Sequence, residues 1–305
     1  MHLRSVDLNL LVALDALLEE RHVSRAALRI GLSQPAMSNA LARLRATFGD
    51  ALLVRTPGGM EPTARGQELA AQVRQVLRQV ERVFVSDAGF EPAGCERQFV
   101  LRMSDLLSRL FLAGITRDLL RQAPRAGLEV VHLSPAQTVD ALEADACDLA
   151  LSMGLAHGAA IRREPLLPDR MVCVMRRGHR ASRGEFTLER FLGLDQMRVS
   201  ISPVDSRFVD EALARLGHRR RVVANVPHWL VVPEVLRATD LVAVMPERLA
   251  DVLARGSDGF ARRGLPLTST SFEWSLYWHR RHEGSLQHEW LRRTVGGAVR
   301  SSGGQ

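Results

Sequence analysis

The chain has 305 residues, 46% of them hydrophobic and 25% charged, with a net charge of +7. At roughly 150 residues per domain, this is the composition of a globular protein with two domains or more. The longest early apolar stretch, Leu8–Leu18, is broken by Asn9 and Asp15, which excludes a membrane span or secretory signal there and predicts a cytoplasmic protein with no membrane partner.

Residues 7–20 are expected to form a helix, with Leu8, Leu11, Val12, Leu14, Leu17 and Leu18 recurring near a 3.6 period. A second helix runs from Val23 to Ile30 and stops at Gly31. Ser33 is a suitable N-cap for a third helix, with Pro35 in the first turn where a missing N–H costs little. That helix ends near Phe48, before Gly49. Pro57, Gly58, Gly59 and Pro62 then predict a tight hairpin within 50–62.

A long helix follows from Thr63 to about Val85. Leu69, Val73, Val76, Val80 and Val83 step by 4, 3, 4 and 3 along it, a short heptad seam. Such a seam pairs two helices or lays one helix on its own domain, and two repeats do not decide between them. Residues 87–94 form a linker. Beyond it, strands (98–103, 128–133, 148–153, 170–176, 197–202, 221–226, 240–245, 271–278) alternate with helices (106–122, 136–144, 187–193, 206–216, 229–238, 246–254, 285–295). This alternation predicts α/β architecture with mostly parallel sheets, large enough for two subdomains.

Three features bear on function. No lysine occurs, so all 41 basic residues are arginine. Six of them (21, 25, 29, 43, 45, 55) fall between Arg21 and Arg55 against the single acid Asp50, a local charge of +5. A basic window of this kind suits a phosphate-facing surface. In the third helix Met37, Leu41, Leu44 and Phe48 share one face. The other presents Pro35, Asn39, Ala42 and Arg43, flanked by Gln34 and Ser38. Small and amide-bearing residues permit close approach to a major groove, where Gln or Asn pairs with adenine and Arg with guanine or phosphate. An ordinary helical subdomain with a polar face is the competing reading. Cys95, Cys147 and Cys173 form no CxxC pair and are expected to be reduced, buried thiols.

The run AALRIGLSQPAMSNALARLRATFGDALLVRTPGGMEPTARG, Ala26–Gly66, closely resembles the winged helix-turn-helix of LysR-type transcriptional regulators. Length and element order match that family throughout. DLNLLVALDALLEER and HWLVVPEVLRATDLVAVMPERLA are most similar to its nodulation and aromatic-catabolism regulators. The resemblance implies an N-terminal all-α winged helix-turn-helix (1–62), a linker helix and hinge (63–94) that pairs two subunits, and a C-terminal α/β two-lobed domain of the periplasmic-binding-protein type (95–305). Lobe 1 would take about 95–166 and 269–300, and lobe 2 about 167–268. It places Ser33, Gln34, Pro35, Ser38 and Asn39 at DNA, with Arg43, Arg45 and Arg55 on its backbone. Leu53 stands where the family more often has an aromatic residue. The implied partners are double-stranded DNA, a small-molecule inducer, a second or further copies in a homodimer or homotetramer, and RNA polymerase.

An inducer between lobes is expected near strand ends. The candidates are Ser104 and Asp105, Ser200, Ser202 and Pro203, Pro227 and His228, and the Thr270–Phe272 return, each of which also serves as a cap or turn residue elsewhere in proteins. Asp105 already places a carboxylate at its helix N-terminus, which disfavours an anion there. The subgroup's histidine before 199–203 is missing beside Met197. His279, His282 and His288 with Glu283 and Glu289 fit no metal-binding template and are expected to be solvated or capping. No metal or cofactor is assigned. Without a GxSxG or a phosphate loop, a hydrolase-type enzyme has little support; an orphan regulator lacking an inducer is the closer alternative.

Overall fold

The computed structural model describes residues 7–57, 59–84, 89–200, 209–255, 259–268 and 271–302. The chain forms two compact units that divide between residues 86 and 87.

The first unit contains α1 (Asn9–Glu20), α2 (Val23–Arg29), α3 (Gln34–Phe48), the strands β1 (Leu53–Thr56) and β2 (Gly59–Pro62), and α4 (Ala64–Phe84). Its core gathers Leu14, Leu17, Ala26, Met37, Leu41, Leu44 and Leu53. Ser33 caps α3 by accepting from the Ala36 N–H, and Gly49, at φ +62°, ends it in the left-handed conformation. β1 and β2 pair antiparallel as the expected hairpin. Leu53 is fully buried, so its exchange for an aromatic residue is a matter of packing.

The junction of hairpin and α4 is tightly built. Asp50 Oδ1 accepts from the Leu52 N–H and from the Thr63 hydroxyl, each at 2.6 Å. These bonds hold the Asp50 carboxyl below its usual range, Thr63 contributing most. Thr63 Oγ1 also caps α4 by accepting from the Gly66 N–H (3.0 Å). A Cβ at residue 66 would lie 2.4 Å from the Leu52 carbonyl oxygen, so only glycine permits this approach.

The heptad seam on α4 divides. Leu69 and Val73 are buried in the first unit's core, whereas Val76 and Val80 are 39% and 41% exposed. The Val83 side chain lies outside the described residues. The first half of the seam lies on its own unit, as one of the two readings has it, and the second half is left exposed.

The second unit runs β3 (Gln98–Arg102), α5 (Asp105–Leu107), a π-helical turn (Ser108–Leu112), α6 (Ala113–Gln122), β4 (Gly127–Val131), α7 (Pro135–Glu143), β5 (Leu149–Met153) and β6 (Ile161–Arg176). It continues with α8 (Leu188–Leu192), β7 (Asp195–Val199), α9 (Val209–Arg215), β8 (Arg221–Val226), α10 (Val232–Ala238), β9 (Val242–Pro246), α11 (Glu247–Arg255), β10 (Phe260–Gly264), β11 (Ser271–His279) and α12 (Leu286–Ser302). The strands lie in the order β4-β3-β5-β11-β6-β9-β7-β8, with β10 also on β6.

The expectation of mostly parallel sheets is met only at the two ends. β3 is parallel to β4 and β5, and β7 to β8 and β9. The middle is antiparallel, because the long strands β6 and β11 run side by side and serve both lobes. The first half of β6 escaped sequence detection. Its Arg162, Arg163, Pro165 and Pro168 obscure the strand signal, and its partner strand is more than 100 positions away, in pairings such as Glu273↔Pro168 that no local pattern reports. β10 was missed for the same reason, being short and rich in arginine.

One core cluster spans both lobes, from Phe99 and Leu101 through Val172 and Met245 to Leu276 and Leu291. Asp148, nearly fully buried, anchors the β3 end. It accepts from the Val100 N–H (2.7 Å) and pairs with Arg97 (2.5 Å), which also donates to Gln287. All three cysteines are buried free thiols, and burial pushes Cys147 and Cys173 up to about 12.

The histidines near α12 depart from expectation. His279 does cap the following turn, accepting from the Arg281 N–H. His282 binds Asp145 (2.9 Å) and stacks flat on His288, which is buried. His288 Nε2 is 3.1 Å from the Asp148 carbonyl and its Nδ1 lies 2.8 Å from Arg292. Arg292 can only donate, so the ring is neutral with its proton on Nε2. Burial, aided by His282, depresses its pKa to about 3.

Candidate functional site

The first site is the outer face of α3. With Met37, Ala40, Leu41 and Leu44 turned into the core, the helix leaves Gln34, Pro35, Ser38, Asn39 and Arg43 exposed. Ser33 is exposed at the cap and Arg55 on β1. Arg45 is exposed as well and makes bonds within the unit. Its Nε donates to the Ala51 carbonyl and its Nη2 to that of Leu53, both at 2.9 Å, so it fastens the hairpin to α3. The residue lies one turn from the helix end, facing the chain as it returns to β1.

The basic window is also less bare than its sequence count. Arg29 pairs with Glu19 (2.7 Å), Arg25 with Glu20 (3.2 Å) and Arg43 with Asp7 (3.0 Å), acids that precede the window in sequence. Hydrogen bonding, first from the Asn9 N–H, holds the Asp7 carboxyl below its usual range. An exposed ion pair is weak in water, so phosphate can take the place of Asp7 at Arg43.

The second site is a cavity of about 150 Å³ between the lobes of the sensing unit. Lobe 1 contributes Ser104, Asp105, His132, Ser134 and Met153; lobe 2 contributes Arg198, Ser200, Asp210, Arg220 and Trp229; Trp274 comes from β11. Ser104, Asp105 and Ser200 thus lie where expected. His228 sits beside this wall, exposed, its ring 6.0 Å from that of His132. Phe272 is not a lining residue. It lies two residues before Trp274 on the same face of β11 and packs edge-on against that ring at 4.9 Å, within the apolar cluster to which both belong. Ser202, Pro203 and Thr270 lie outside the described residues.

The polar groups of the cleft are mostly engaged. Ser104 accepts from the Leu107 N–H, capping α5. Arg102 is buried, donating to the carbonyls of Leu133 and Leu151. Arg220 grips Asp210 with two bonds of 2.7 and 2.8 Å and reaches Gln196. Asp105 Oδ2 accepts the Trp229 N–H at 2.5 Å, a bond that crosses the cleft. The Asp105 carboxylate thus receives a donor from the opposite lobe. Burial, with Arg102 nearby, pushes the His132 pKa down.

Sequence reasoning missed His132, Arg102, Arg198 and Arg220. A strand drawn to residue 133 concealed His132, which follows β4 at its true end, Val131. The arginines lie within or just before strands and become cleft residues only when the lobes come together.

Residues 8–67 match the family described as bacterial regulatory helix-turn-helix protein, lysR family, and residues 93–300 match the LysR substrate binding domain. The chain belongs to the LysR family. It is 36% identical over 297 residues to the HTH-type transcriptional activator NahR of Pseudomonas putida, covering 97% of this chain and 98% of that protein. Against nodulation protein D 2 of Sinorhizobium fredii the identity is 31%, over 97% and 94% of the two chains. The crystal structure of a probable transcriptional regulator from Pseudomonas aeruginosa superposes with a TM-score of 0.78 at 32% identity, covering 97% of this chain and 98% of its own. These relatives agree with the subgroup expected from sequence. This LysR family member is accordingly a DNA-binding transcriptional regulator with an inducer-responsive domain, and its relatives are regulators rather than enzymes. No helix among its described residues is long and apolar enough to cross a membrane.

Proposed function

We propose that this regulator works in the cytoplasm as a homodimer or homotetramer, holding specific double-stranded DNA with α3 in the major groove. It activates transcription through RNA polymerase when a small molecule occupies the interlobe cleft, and it acts by binding, without catalysis. The observation that carries this reading is α3 itself: a helix fixed by a buried apolar face that leaves Gln34, Ser38 and Asn39 exposed together. Gln34 and Asn39 pair with base edges, and Ser38 and Pro35 contact the groove wall. Arg43, Arg55 and Ser33 hold phosphate, while Arg45 positions the hairpin. The exposed valines Val76 and Val80 on α4 meet their counterparts in a second copy.

The inducer is an aromatic compound with a phenolic or carboxylate group. Trp229, Trp274 and two methionines (153 and 171) supply apolar walls, and Ser104, Asp105, Ser200 and His228 supply polar contacts, with Ser202 as a further candidate. Phe272 supports Trp274 from behind. Fluorescence anisotropy with the DNA flanking the gene and with random DNA tests the first part. Asn39→Ala is expected to lose about 1–3 kcal/mol on the specific site only. Arg55→Ala should weaken both and flatten the salt slope by about one unit. Equal losses on both DNAs for Asn39→Ala would remove its base-reading role. For the cleft, a thermal-shift screen of aromatic acids and phenols is read against each variant's own ligand-free transition, since Ser104 also caps a helix. A true ligand at 100 times its Kd stabilises by about 2.7 kcal/mol, and Ser104→Ala and Ser200→Ala should reduce that gain.

A further inference from the structure

Three donor side chains, remote in sequence, meet at the edge of the cleft. Asp105 opens α5 and His132 follows β4, both on lobe 1; His228 follows β8 on lobe 2. One ligand-capable atom of each lies within 4.8 Å of the other two. Asp105 supplies a second, independent observation. Its Oδ2 is occupied by the Trp229 N–H, while its Oδ1 is buried and has no hydrogen-bond partner among the described residues. A buried carboxylate oxygen without a donor costs free energy, and a cation beside two imidazoles removes that cost.

We propose that Asp105, His132 and His228 bind a divalent transition-metal ion that joins the two lobes. Two imidazoles and one carboxylate suit Zn²⁺, Co²⁺ or Ni²⁺; Mg²⁺ and Ca²⁺ require mainly oxygen donors. Metal–ligand bonds of about 2.0–2.2 Å set donor atoms about 3.3 Å apart in a tetrahedral site. The cluster must therefore contract by about 1.5 Å at most, which rotation of the exposed His228 ring supplies. The Trp229 bond fixes the carboxylate plane, as outer partners do in metal sites. Three protein ligands leave a coordination position open to water or to an anionic oxygen in the cleft. Because both lobes contribute ligands, the ion favours the lobe separation that satisfies all three and shifts the population toward it. Only this last consequence rests on the regulator reading; ion binding does not.

The test uses the full-length protein stripped with chelator, titrated with Co²⁺ and followed by visible absorption, with Zn²⁺ stoichiometry taken from native mass spectrometry. One ion per chain is expected. His132→Ala and His228→Ala should each weaken binding by more than the roughly 10–100-fold that loss of an outer partner costs, and His157→Ala, an exposed imidazole elsewhere, should change nothing. Operator binding measured on the same samples reports folding and tests the regulator reading separately. Wild-type protein that takes up neither ion overturns the proposal. So does undiminished Zn²⁺ binding in both His132→Ala and His228→Ala, which would place the ion elsewhere.

Discussion

The outer face of α3 and the interlobe cleft dispose of polar side chains in opposite ways. On α3 they point into solvent, are contributed by one contiguous segment, and owe their direction to the buried face behind them. In the cleft they point inward, come from strand ends up to about 120 positions apart, and are held by bonds such as Asp105–Trp229 and Arg220–Asp210. A helix face can therefore lose one side chain without disturbing the others, whereas a cleft residue supports its neighbours. The two units also have separate cores, one of leucine and alanine around α3, the other spanning both lobes.

The largest expected effect probes that separation. Asp148→Ala leaves Arg97 facing an empty buried site and removes the acceptor of the Val100 N–H. Loss of one partner from a buried pair costs about 3–5 kcal/mol. Calorimetry should show a lowered transition for the sensing unit, with that of the first unit unchanged; a common shift in both would mean the units fold as one. In the first unit, Gly66→Ala forces the α4 N-terminus away from the Leu52 carbonyl and should cost about 1–3 kcal/mol. Here the same experiment should move the other transition.

Acid sharpens the comparison further. His288 has its folded pKa depressed to about 3, below the ordinary value of 6.5. Between those values the unfolded chain binds the extra proton, so this contribution is complete above 6.5 and is lost as pH falls toward 3. The slope reaches about 1.4 kcal/mol per pH unit within that window. Denaturant titrations from pH 7 to pH 4 should show the sensing unit losing this stability, and His288→Gln should remove that part of the slope. The smallest effect on folding is that of Val76→Asp. At an exposed site it should change chain stability by only about 0.5 kcal/mol, yet it places a charge in the proposed seam. Retention of the wild-type mass in light scattering would show that this half of α4 is not an interface.

Legibility followed the range of the interactions. Ser33, Pro35 and Gly49 mark the ends of α3 through their own backbone chemistry, and a 3.6 period separates its buried from its exposed residues. Those signals lie within one helix and survive in sequence. The bonds of Arg45 to the Ala51 and Leu53 carbonyls were not legible, because the sequence does not show that the chain returns past it after residue 50. The seam on α4 has one period throughout, and nothing in that period says that Leu69 and Val73 have a core to enter while Val76 and Val80 do not.

By itself, the sequence determined the helix-turn-helix, the hairpin, the α/β character of the remainder and five of the residues on or beside the cleft wall: Ser104, Asp105, Ser200, Pro227 and His228. Each rests on periodicity, caps or strand ends, which act over a few residues. Tertiary structure alone decided that β6 and β11 run antiparallel through both lobes, that His288 is buried neutral, and that His132 and His228 stand beside Asp105. Such arrangements are fixed by long-range strand pairing and shared burial, whose energies depend on neighbours that a linear sequence does not place side by side.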